Sequence, residues 1–482
     1  MPGVGIASYA THIPYWRLQR ATIDAALGGR PGTGSRAVAA FDEDTTTMAV
    51  EAGRAALAGW SAPGSVDGVL FATAQPAYAD KTNATAIHAA LGLGRNAHAA
   101  DLIGTIRSGV SALLAGSYRP GVTLVALSDA RTGPAGSVDE STGGDAAAAF
   151  VLSSTERGPV IAELLGAAST TEEFLDRWRA PGEPWAASWE ERFGEEVYTG
   201  LAIDSFDDAL KSTGLSTGDV DRIAVAGLAP RAVRAFLKRS GVPADKVADD
   251  LTSAIGNTGT AHVGLLLASM LDQAEPGEVL ALTVLSDGAE TLLFRATDHL
   301  LDARQGLSVD ARIANGNDGL SYAEFLTWKG QLRRQQPRRP DPDRAAAPAT
   351  HRLADWKFGF TGSRCTACGT RHLPPQRVCL RCGATNQMER ERLADTAATI
   401  ATYTVDHLAF SLAPPVVAAV IDFDGGGRFS CELTDVDADA LAVGQRVEMT
   451  FRRLSSADGV HNYFWKARPR SEGRFTSEGQ DQ

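Results

Sequence analysis

The sequence predicts an α/β protein in which a layered, internally duplicated domain is followed by a zinc ribbon and a small OB-type β-barrel. Two halves of comparable α/β layout each contain a strand that ends in Ser-Asp, at Ser128-Asp129 and at Ser286-Asp287. This recurrence predicts the duplication. Four of the five cysteines form a C-x2-C-x10-C-x2-C set, the spacing of a zinc ribbon. Five β-rich runs separated by turns follow it and predict the barrel.

The first half of the duplicated region alternates strands with helices. A helix is predicted in DEDTTTMAVEAGRAALAGW, because Thr45 to Thr47 offer capping hydroxyls and small apolar residues recur on one face. The other segments of this half are the strands VGIASYATHIP and VDGVLFAT, the helix NATAIHAALGL, the strand-to-helix run ADLIGTIRSGVSALLAGSY, the strand TLVALSDA and the turn and strand STGGDAAAAFVLS.

The second half repeats this progression. Its segments are the helix DSFDDALKSTGL, the strand DRIAVAGL, the helix PRAVRAFLKRSG, the buried helix NTGTAHVGLLLASMLDQA and the strand pair EVLALTVLSDGAETLLFR.

The amino-acid pattern of the chain changes after about residue 300. One amphipathic helix is predicted in LSYAEFLTWKGQLRR, and the basic run RRQQPRR reads as a solvated linker. The barrel strands are predicted in ATIATYTVDHLAF, PPVVAAVIDFD, GRFSCEL, QRVEMTFRRL and NYFWKARPR. The predicted divisions are a duplicated domain at 1–300, a helix and Pro/Arg-rich linker at 301–350, a zinc ribbon at 351–390 and an OB-fold domain at 391–475.

Composition and charge exclude several classes of protein. The 482 residues are 44% hydrophobic and 22% charged with a net charge of −12, and no apolar run approaches the ~20 residues of a membrane helix. Residues 351–482 hold 16 basic and 16 acidic residues, whereas a nucleic-acid-binding module shows a basic excess. The opening residues lack a basic head and a long apolar stretch, and paired CxxC motifs fit a reducing compartment. We expect a cytoplasmic protein without nucleic-acid or membrane partners.

The cysteine set predicts a structural Zn2+ site. Cys365, Cys368, Cys379 and Cys382 place four thiolates around one ion, and four protein ligands leave no open position for a reacting water. The fifth cysteine, Cys431, lies in a β-rich run and is most simply a small core residue. No cysteine precedes Cys365.

Several segments resemble the 3-hydroxy-3-methylglutaryl-CoA synthase branch of the thiolase superfamily. They are EDTTTMAVEAGRAAL, YADKTNATAIHAALGL, SDARTGPAG with STGGDAAAAFVL, EEFLDRWRAPGE and IGNTGTAHVGLLLASMLDQAEPGEVLALTVLSDGA. The resemblance covers residues 3–296 and implies an α/β/α/β/α thiolase fold. Residues 320–470 are similar to the zinc-ribbon/OB domain that accompanies thiolase-like proteins.

The resemblance also implies a reactive set that this chain lacks. Enzymes of the branch use a Cys-His-Asn set with a glutamate, and the cysteine forms an acyl thioester. The nucleophile position falls at Ile106, the glutamate at Ala74 beside Gln75, and the histidine at Leu228 or Gly227. Only the asparagine is present, as Asn257. Ordinary acyl transfer through a covalent acyl-enzyme is therefore not expected.

Three functions remain open at this point. The first is an enzyme that makes or breaks a carbon–carbon bond on a CoA thioester by aldol or retro-aldol chemistry, as cysteine-less thiolase-like aldolases do together with a zinc-ribbon/OB partner. The second is a non-catalytic acyl-CoA-binding partner of a thiolase or synthase. The third is a condensing or acyl-transferring enzyme of natural-product assembly. The resemblance implies a homodimer, and a separate thiolase or an enoyl-CoA hydratase stays open as a further partner.

The candidate site residues follow from these alternatives. Those expected to take part in catalysis are Asn257, His262, Tyr78, Ser108 and Asp287, with Thr105 and Ser286 nearby. Those expected to contact the CoA substrate are Arg107, Lys81, Arg428, Lys466 and Arg468. The structural alternatives are a tight turn for Asn257, a satisfied core residue for His262 and solvated surface side chains for the cations.

Overall fold

The structure is a computed structural model that describes residues 3–30, 32–60, 65–189, 191–304, 306–335 and 343–470. Most of the first 300 residues build one nine-stranded mixed sheet with helices on its faces. Within the described residues, no helix combines the length and the apolar character that a bilayer span requires.

The first half of the sheet is built around a strand that lies antiparallel to both its neighbours. The elements of this half are β1 (Val4–His12), β2 (Trp16–Gln19), α1 (Arg20–Leu27), β3 (Ser35–Val38), α2 (Thr45–Ala58), β4 (Gly68–Thr73), α3 (Ala84–Ala90), β5 (His98–Ile103), α4 (Arg107–Tyr118), β6 (Thr123–Ala130), α5 (Val138–Thr142) and β7 (Asp145–Ser154). Strand β7 pairs antiparallel with β1 and β6, and β6, β4 and β5 then run parallel.

The second half repeats this pairing pattern. Its elements are β8 (Ala162–Thr170), β9 (Arg177–Trp178), β10 (Ala187–Ser188), α6 (Glu191–Thr213), β11 (Arg222–Gly227), α7 (Pro230–Arg239), α8 (Thr252–Ile255), α9 (Thr260–Gln273), β12 (Val279–Leu285) and β13 (Ala289–Ala296). Strand β13 pairs antiparallel with β8 and β12, and β12 runs parallel to β11. A parallel bridge from Ile223 to Val247 stands where β5 pairs in the first half. The predicted duplication is confirmed.

Two buried helices, α4 and α9, form the central layer between the half-sheets. Gly109 lets α4 approach α9 closely, because a Cβ there would lie 2.9 Å from the Thr260 carbonyl oxygen. Gly264 lets α9 approach β7, because a Cβ there would lie 2.6 Å from the Ala148 Cβ. Helix α2 covers the outer face of the first half and α6 that of the second. The layers follow the predicted α/β/α/β/α order.

The C-terminal part contains short helices, a three-stranded ribbon and a closed barrel. The helices are α10 (Leu300–Ala303), α11 (Val309–Ala314), α12 (Tyr322–Trp328), α13 (Ala347–Arg352) and α14 (Ala354–Lys357). The ribbon strands are β14 (Thr361–Cys365), β15 (Arg371–His372) and β16 (Met388–Arg392), and the barrel strands are β17 (Ala398–Asp406), β18 (Val416–Phe423), β19 (Arg428–Leu433), β20 (Arg446–Ala457) and β21 (Val460–Pro469). The barrel closes in the order β17-β18-β19-β21-β20.

The predicted linker helix is shorter than its amphipathic pattern indicates. It starts after Ser321, which forms a capping box with Glu324, and it ends near Gly330, whose φ of 72° leaves the helical region. Beyond it, the Gln331 side chain donates to the Gly133 carbonyl oxygen at 2.9 Å. The basic run that follows lies partly outside the described residues.

A buried ionic cluster joins the barrel to the duplicated domain. The Arg452 side chain is fully buried and contacts the carboxylates of Asp42, Glu43 and Asp435. Burial raises the pKa of Glu43, but the Arg452 charge and a hydrogen bond from His12 outweigh it and lower that pKa to about 2. Glu43 therefore stays ionised and paired with Arg452 at neutral pH.

We expect Arg452→Met to destabilise the whole chain, because it leaves carboxylates buried without a counter-charge. The loss should be about 3–5 kcal/mol in the free energy of unfolding, the range for breaking a buried ion pair, and urea unfolding measures it. Arg428→Met is the matched control. Arg428 also lies on a barrel strand, but its pair with Asp422 is largely exposed, and such pairs contribute about 0–1 kcal/mol. Equal losses of unfolding free energy for both variants would show that the buried cluster contributes no more to stability than an exposed ion pair.

Candidate functional site

A cavity opens where the two halves of the duplicated domain meet. It lies beside the start of α4, the start of α9 and the ends of β6 and β12. Its polar lining consists of Gln75, Thr105, Asp129, Arg131, Thr132, Asp176, Arg177, Arg179, Tyr198, Ser286 and Asp287. The two Ser-Asp pairs recognised in the sequence therefore contribute to the same cavity, one from each half.

Ile106 lies at the position to which the resemblance assigns the nucleophile. It directly precedes α4 and lines the cavity, and only 3% of it is exposed because it belongs to the central core. The described residues that line the cavity include no cysteine. The apolar side chain fills this position without offering an atom that could be acylated.

Asp129 is the buried acid of the cavity. Its Oδ2 atom accepts a hydrogen bond from the Thr260 amide at 3.0 Å, at the start of α9. A Cβ on Gly259 would lie 2.4 Å from the same oxygen, so only glycine permits this approach. Burial raises the pKa of the Asp129 carboxyl, against the opposing effects of the Thr260 amide and of Arg131. A raised pKa makes the Asp129 carboxylate a stronger proton acceptor than an ordinary aspartate.

The turn between β12 and β13 brings hydroxyl groups and a second carboxylate to the cavity. The Ser286 hydroxyl donates to Thr105 Oγ1 at 3.1 Å and lies 3.2 Å from Asp287 Oδ2. Asp287 adopts a φ of 49°, and the Arg107 guanidinium donates to its carbonyl oxygen. Arg107 therefore supports the turn from behind and is not among the described residues that line the cavity.

Arginines make one side of the cavity cationic. Arg131 and Arg177 both bind the Asp139 carboxylate, each at 2.8 Å. Burial, together with the charge of Arg177, lowers the pKa of Arg131 to about 10. Arg179 donates to the Ala74 carbonyl oxygen at 2.5 Å. Two guanidinium groups sharing one carboxylate leave a net positive charge beside Asp129.

The structure places Asn257 and His262 outside the cavity lining. The Asn257 amide nitrogen donates to the Gly227 carbonyl oxygen at 2.9 Å, and its Oδ1 accepts from the Gly259 amide at 3.0 Å. His262 is 1% exposed, and its Nδ1 faces the Thr258 amide at 3.4 Å. Burial lowers the pKa of His262 to about 4, so it is neutral at physiological pH. Both side chains are engaged with nearby backbone.

The remaining catalytic candidates lie in different parts of the structure. Asp287 lines the cavity, together with Ser286 and Thr105. Ser108 lies further along α4 and is not part of the described lining. The Tyr78 hydroxyl accepts a hydrogen bond from the His461 amide of the barrel at 2.8 Å, so it lies at the domain interface.

The five expected CoA contacts are spread over the molecule. Lys81 donates to the Thr82 carbonyl oxygen at 2.9 Å and to the Thr85 hydroxyl at 2.8 Å. Arg428 pairs with Asp422 on the barrel surface, and Arg107 supports the Asp287 turn.

Lys466 and Arg468 are buried instead of facing a ligand. Lys466 contacts Asp42 and Glu432, each at 2.9 Å, and Arg468 contacts Glu51 at 2.6 Å. The expected phosphate contact does not fit this placement, because their charges are neutralised within the domain interface.

Sequence reasoning missed Asp129, Arg131, Arg177 and Tyr198, all of which line the cavity. A signal for Asp129 was present, since Ser128-Asp129 recurs as Ser286-Asp287 and the second aspartate was already a candidate. Arg177 lies in the family-like segment EEFLDRWRAPGE, but the resemblance assigned it no role. Tyr198 reaches the cavity from α6, outside every segment that carries the resemblance.

The four ribbon cysteines converge as a metal site requires. Their Sγ atoms all lie within 4.8 Å of one another, and the Cys365–Cys382 and Cys368–Cys379 sulfur distances are 3.7 and 3.5 Å. A tetrahedral zinc with bonds of 2.3 Å needs sulfurs about 3.8 Å apart. Each CxxC pair is followed by a glycine with a φ of 73° whose amide donates to the carbonyl oxygen of the first cysteine. The residues fit a zinc ion.

Fold and cavity together define a thiolase-like condensing-enzyme fold joined to a zinc ribbon and an OB barrel. Family models match residues 210–291 as the C-terminal part of 3-oxoacyl-[acyl-carrier-protein] synthase III, residues 359–389 as the ChsH2 rubredoxin-like zinc ribbon and residues 391–452 as the ChsH2 C-terminal OB-fold domain.

Two curated relatives are similar enough to identify the family of this chain. Hydroxymethylglutaryl-CoA synthase of Archaeoglobus fulgidus is 31% identical over 318 residues, which are 61% of this chain and 90% of the relative. The enzyme of Aeropyrum pernix is 30% identical over 299 residues, 59% of this chain and 82% of the relative. The chain belongs to the hydroxymethylglutaryl-CoA synthase family.

Solved structures share the fold. MvaS in complex with 3-hydroxy-3-methylglutaryl coenzyme A superposes with a TM-score of 0.58 at 20% identity and covers 72% of this chain and 96% of its own. The 3-oxoacyl-(acyl carrier protein) synthase III of Pseudomonas aeruginosa gives a TM-score of 0.53 at 20% identity and covers 61% of this chain and 98% of its own. At these identities the likeness concerns the fold alone.

We expect Cys379→Ser to abolish metal binding, because three thiolates and a hydroxyl hold zinc far less tightly than four thiolates. Elemental analysis should give about one zinc per wild-type chain and much less for the variant. The ribbon and the barrel should unfold at a lower temperature than in the wild type. Cys431→Ser, which removes the one cysteine outside the cluster, should keep its zinc. Equal metal content in both variants would exclude the ribbon as the site.

Proposed function

We propose that this protein acts on acyl-CoA thioesters and makes or breaks a carbon–carbon bond by aldol or retro-aldol chemistry, without a covalent acyl-enzyme. One observation carries the proposal: a buried carboxyl with a raised pKa, Asp129, shares a cavity with Ile106, where the family nucleophile is expected. The described lining thus offers a proton acceptor but no thiol to accept an acyl group.

In the cleavage direction, Asp129 accepts the proton of a β-hydroxyl group on the substrate. The bond between the α and β carbons then breaks, its electron pair passes into the thioester as an enolate, and an aldehyde or ketone leaves. The proton held by Asp129 returns to the α carbon. Atoms and charges balance without a further reactant, and condensation is the reverse of these steps.

The enolate oxygen requires positive charge in its surroundings. The N-terminal turn of α4 begins at the cavity wall and carries the partial positive charge of a helix N-terminus. The Thr105 and Ser286 hydroxyls lie at the same wall. Arg131 adds a guanidinium group that shares the Asp139 carboxylate with Arg177. Such preorganised donors are commonly the largest contribution to stabilising an oxyanion.

A second function is favoured by Asn257, the one member of the family's reactive set that the chain retains. Its side chain is hydrogen-bonded to the backbone of Gly227 and Gly259, as expected if the reactive set has lost its role. In that case the chain would bind acyl-CoA as a non-catalytic partner of a cysteine-bearing thiolase or synthase.

The proposal also covers the metal ion, the assembly state, the cellular location and the domain boundaries. The ribbon would hold one Zn2+ in a structural role, because four thiolates leave no open coordination position. We also propose a cytoplasmic homodimer, with domain boundaries near residues 300, 350 and 390.

We expect purified protein to release an aldehyde or ketone from a member of a β-hydroxyacyl-CoA panel. Asp129→Asn should lower the rate about 10²–10⁴-fold, the usual contribution of a general base. Asp298→Asn, at an exposed position, is the control and should leave the rate unchanged. CoA thioester binding with no turnover for any panel member would favour the non-catalytic partner.

We expect Ile106→Cys to restore an acyl acceptor. Incubation with acetyl-CoA should add one acetyl group to the variant, as measured by intact mass and located at residue 106 by peptide mapping. The wild type should gain no adduct within residues 1–364, where the sequence has no thiol. A wild-type adduct in that region would contradict the proposed mechanism.

A further inference from the structure

An aromatic surface lies at the rim of the cavity, on the β9–β10 hairpin and the first turn of α6. Its side chains are apolar, large and solvent-exposed, from 36% for Trp178 to 63% for Trp189. The set consists of Leu175, Trp178, Trp185, Trp189 and Phe193. Exposed apolar clusters of this kind mark binding sites more often than ordinary surface.

Two rows of rings connect the aromatic surface to the cavity. Trp189 packs against Trp178 with ring centroids 5.8 Å apart, and Trp178 lines the cavity. Phe193 packs against Phe174 at 6.1 Å, and Phe174 packs against Tyr198, a cavity-lining residue, at 4.8 Å. Each row begins at an exposed ring and ends at the cavity wall, so the surface is continuous with the site.

The cavity alone holds only a small group. Its volume is about 120 Å³, below the ~150 Å³ of an engineered cavity that binds one benzene. Ile106 closes part of its wall with a nearly buried side chain. A larger acyl group must therefore extend outward along the rim, where the aromatic surface lies.

The charge around the aromatic surface selects against the nucleotide end of CoA. Residues 171–196 contain eight acidic and three basic residues, and Glu172, Glu173 and Glu183 are exposed. Like charges repel phosphate groups, whereas uncharged apolar groups are favoured on aromatic faces.

We propose that the aromatic surface binds the apolar, ring-sized part of an acyl thioester whose thioester end lies in the cavity. This inference rests on the proposed function and adds the substrate class: thioesters of large apolar acyl groups are preferred over acetyl-CoA. Trp189 is the central contact, because it is the most exposed ring of the aromatic surface and packs on Trp178, a cavity-lining ring.

The test is a fluorescence titration of the full chain with free CoA, acetyl-CoA, 4-phenylbutanoyl-CoA and the N-acetylcysteamine thioester of 4-phenylbutanoate. The phenylbutanoyl-CoA should bind about tenfold or more tightly than acetyl-CoA, as expected for burial of an aromatic group. Trp189→Ala should remove most of that preference and leave acetyl-CoA affinity unchanged, while Trp189→Phe should keep it. Tyr118→Ala, which removes an exposed ring at the far end of α4, is the control and should change neither affinity.

Three results would overturn the inference. Equal affinity for acetyl-CoA and phenylbutanoyl-CoA excludes an acyl-binding role. Weaker binding of free CoA by Trp189→Ala identifies a nucleotide contact, and a change in oligomeric state identifies an interface between copies of the chain. If free CoA and both CoA thioesters fail to bind but the N-acetylcysteamine thioester binds and Trp189→Ala weakens it, the surface is supported and the CoA part of the proposed function fails.

Discussion

The close contact between α4 and α9 is the constraint on which the cavity depends. Gly109 allows it, because a Cβ there would lie 2.9 Å from the Thr260 carbonyl oxygen. The contact brings the starts of both helices to one place, so Asp129 of the first half accepts its hydrogen bond from the Thr260 amide of the second. Neither half contains the site alone. The cavity is a product of the duplication and of the small residues that let its halves approach.

The barrel is held against this domain by charge as well as by packing. Arg452 and Lys466 reach carboxylates in the segment before α2, while the His461 amide donates to Tyr78 in the loop after β4. That loop also carries Gln75, which lines the cavity. The barrel therefore supports a wall of the site, although none of its residues belongs to the described lining.

Sequence reasoning reached the fold because its signals are local. Strand and helix periodicity, the repeated Ser-Asp and the cysteine spacing each depend on neighbouring residues, and they predicted the duplication, the ribbon and the barrel. Side-chain direction is not local. Asn257 has the position that the resemblance predicts, but its side-chain amide is hydrogen-bonded to Gly227 and Gly259. Lys466 was predicted to contact the substrate, whereas the folded chain buries it beside Asp42. Arg177 joined the site only through the tertiary course of β9.

Fusion of the barrel to the duplicated domain has a consequence for assembly. Two separate polypeptides would associate according to their concentrations, and a shortage of one would leave copies of the other without the ion pairs that Arg452 forms with Asp42 and Glu43. A single translated chain removes that equilibrium and fixes the stoichiometry at one barrel per cavity. Dilution cannot separate the barrel from the duplicated domain, so the buried charges of each part find their partners within the same chain.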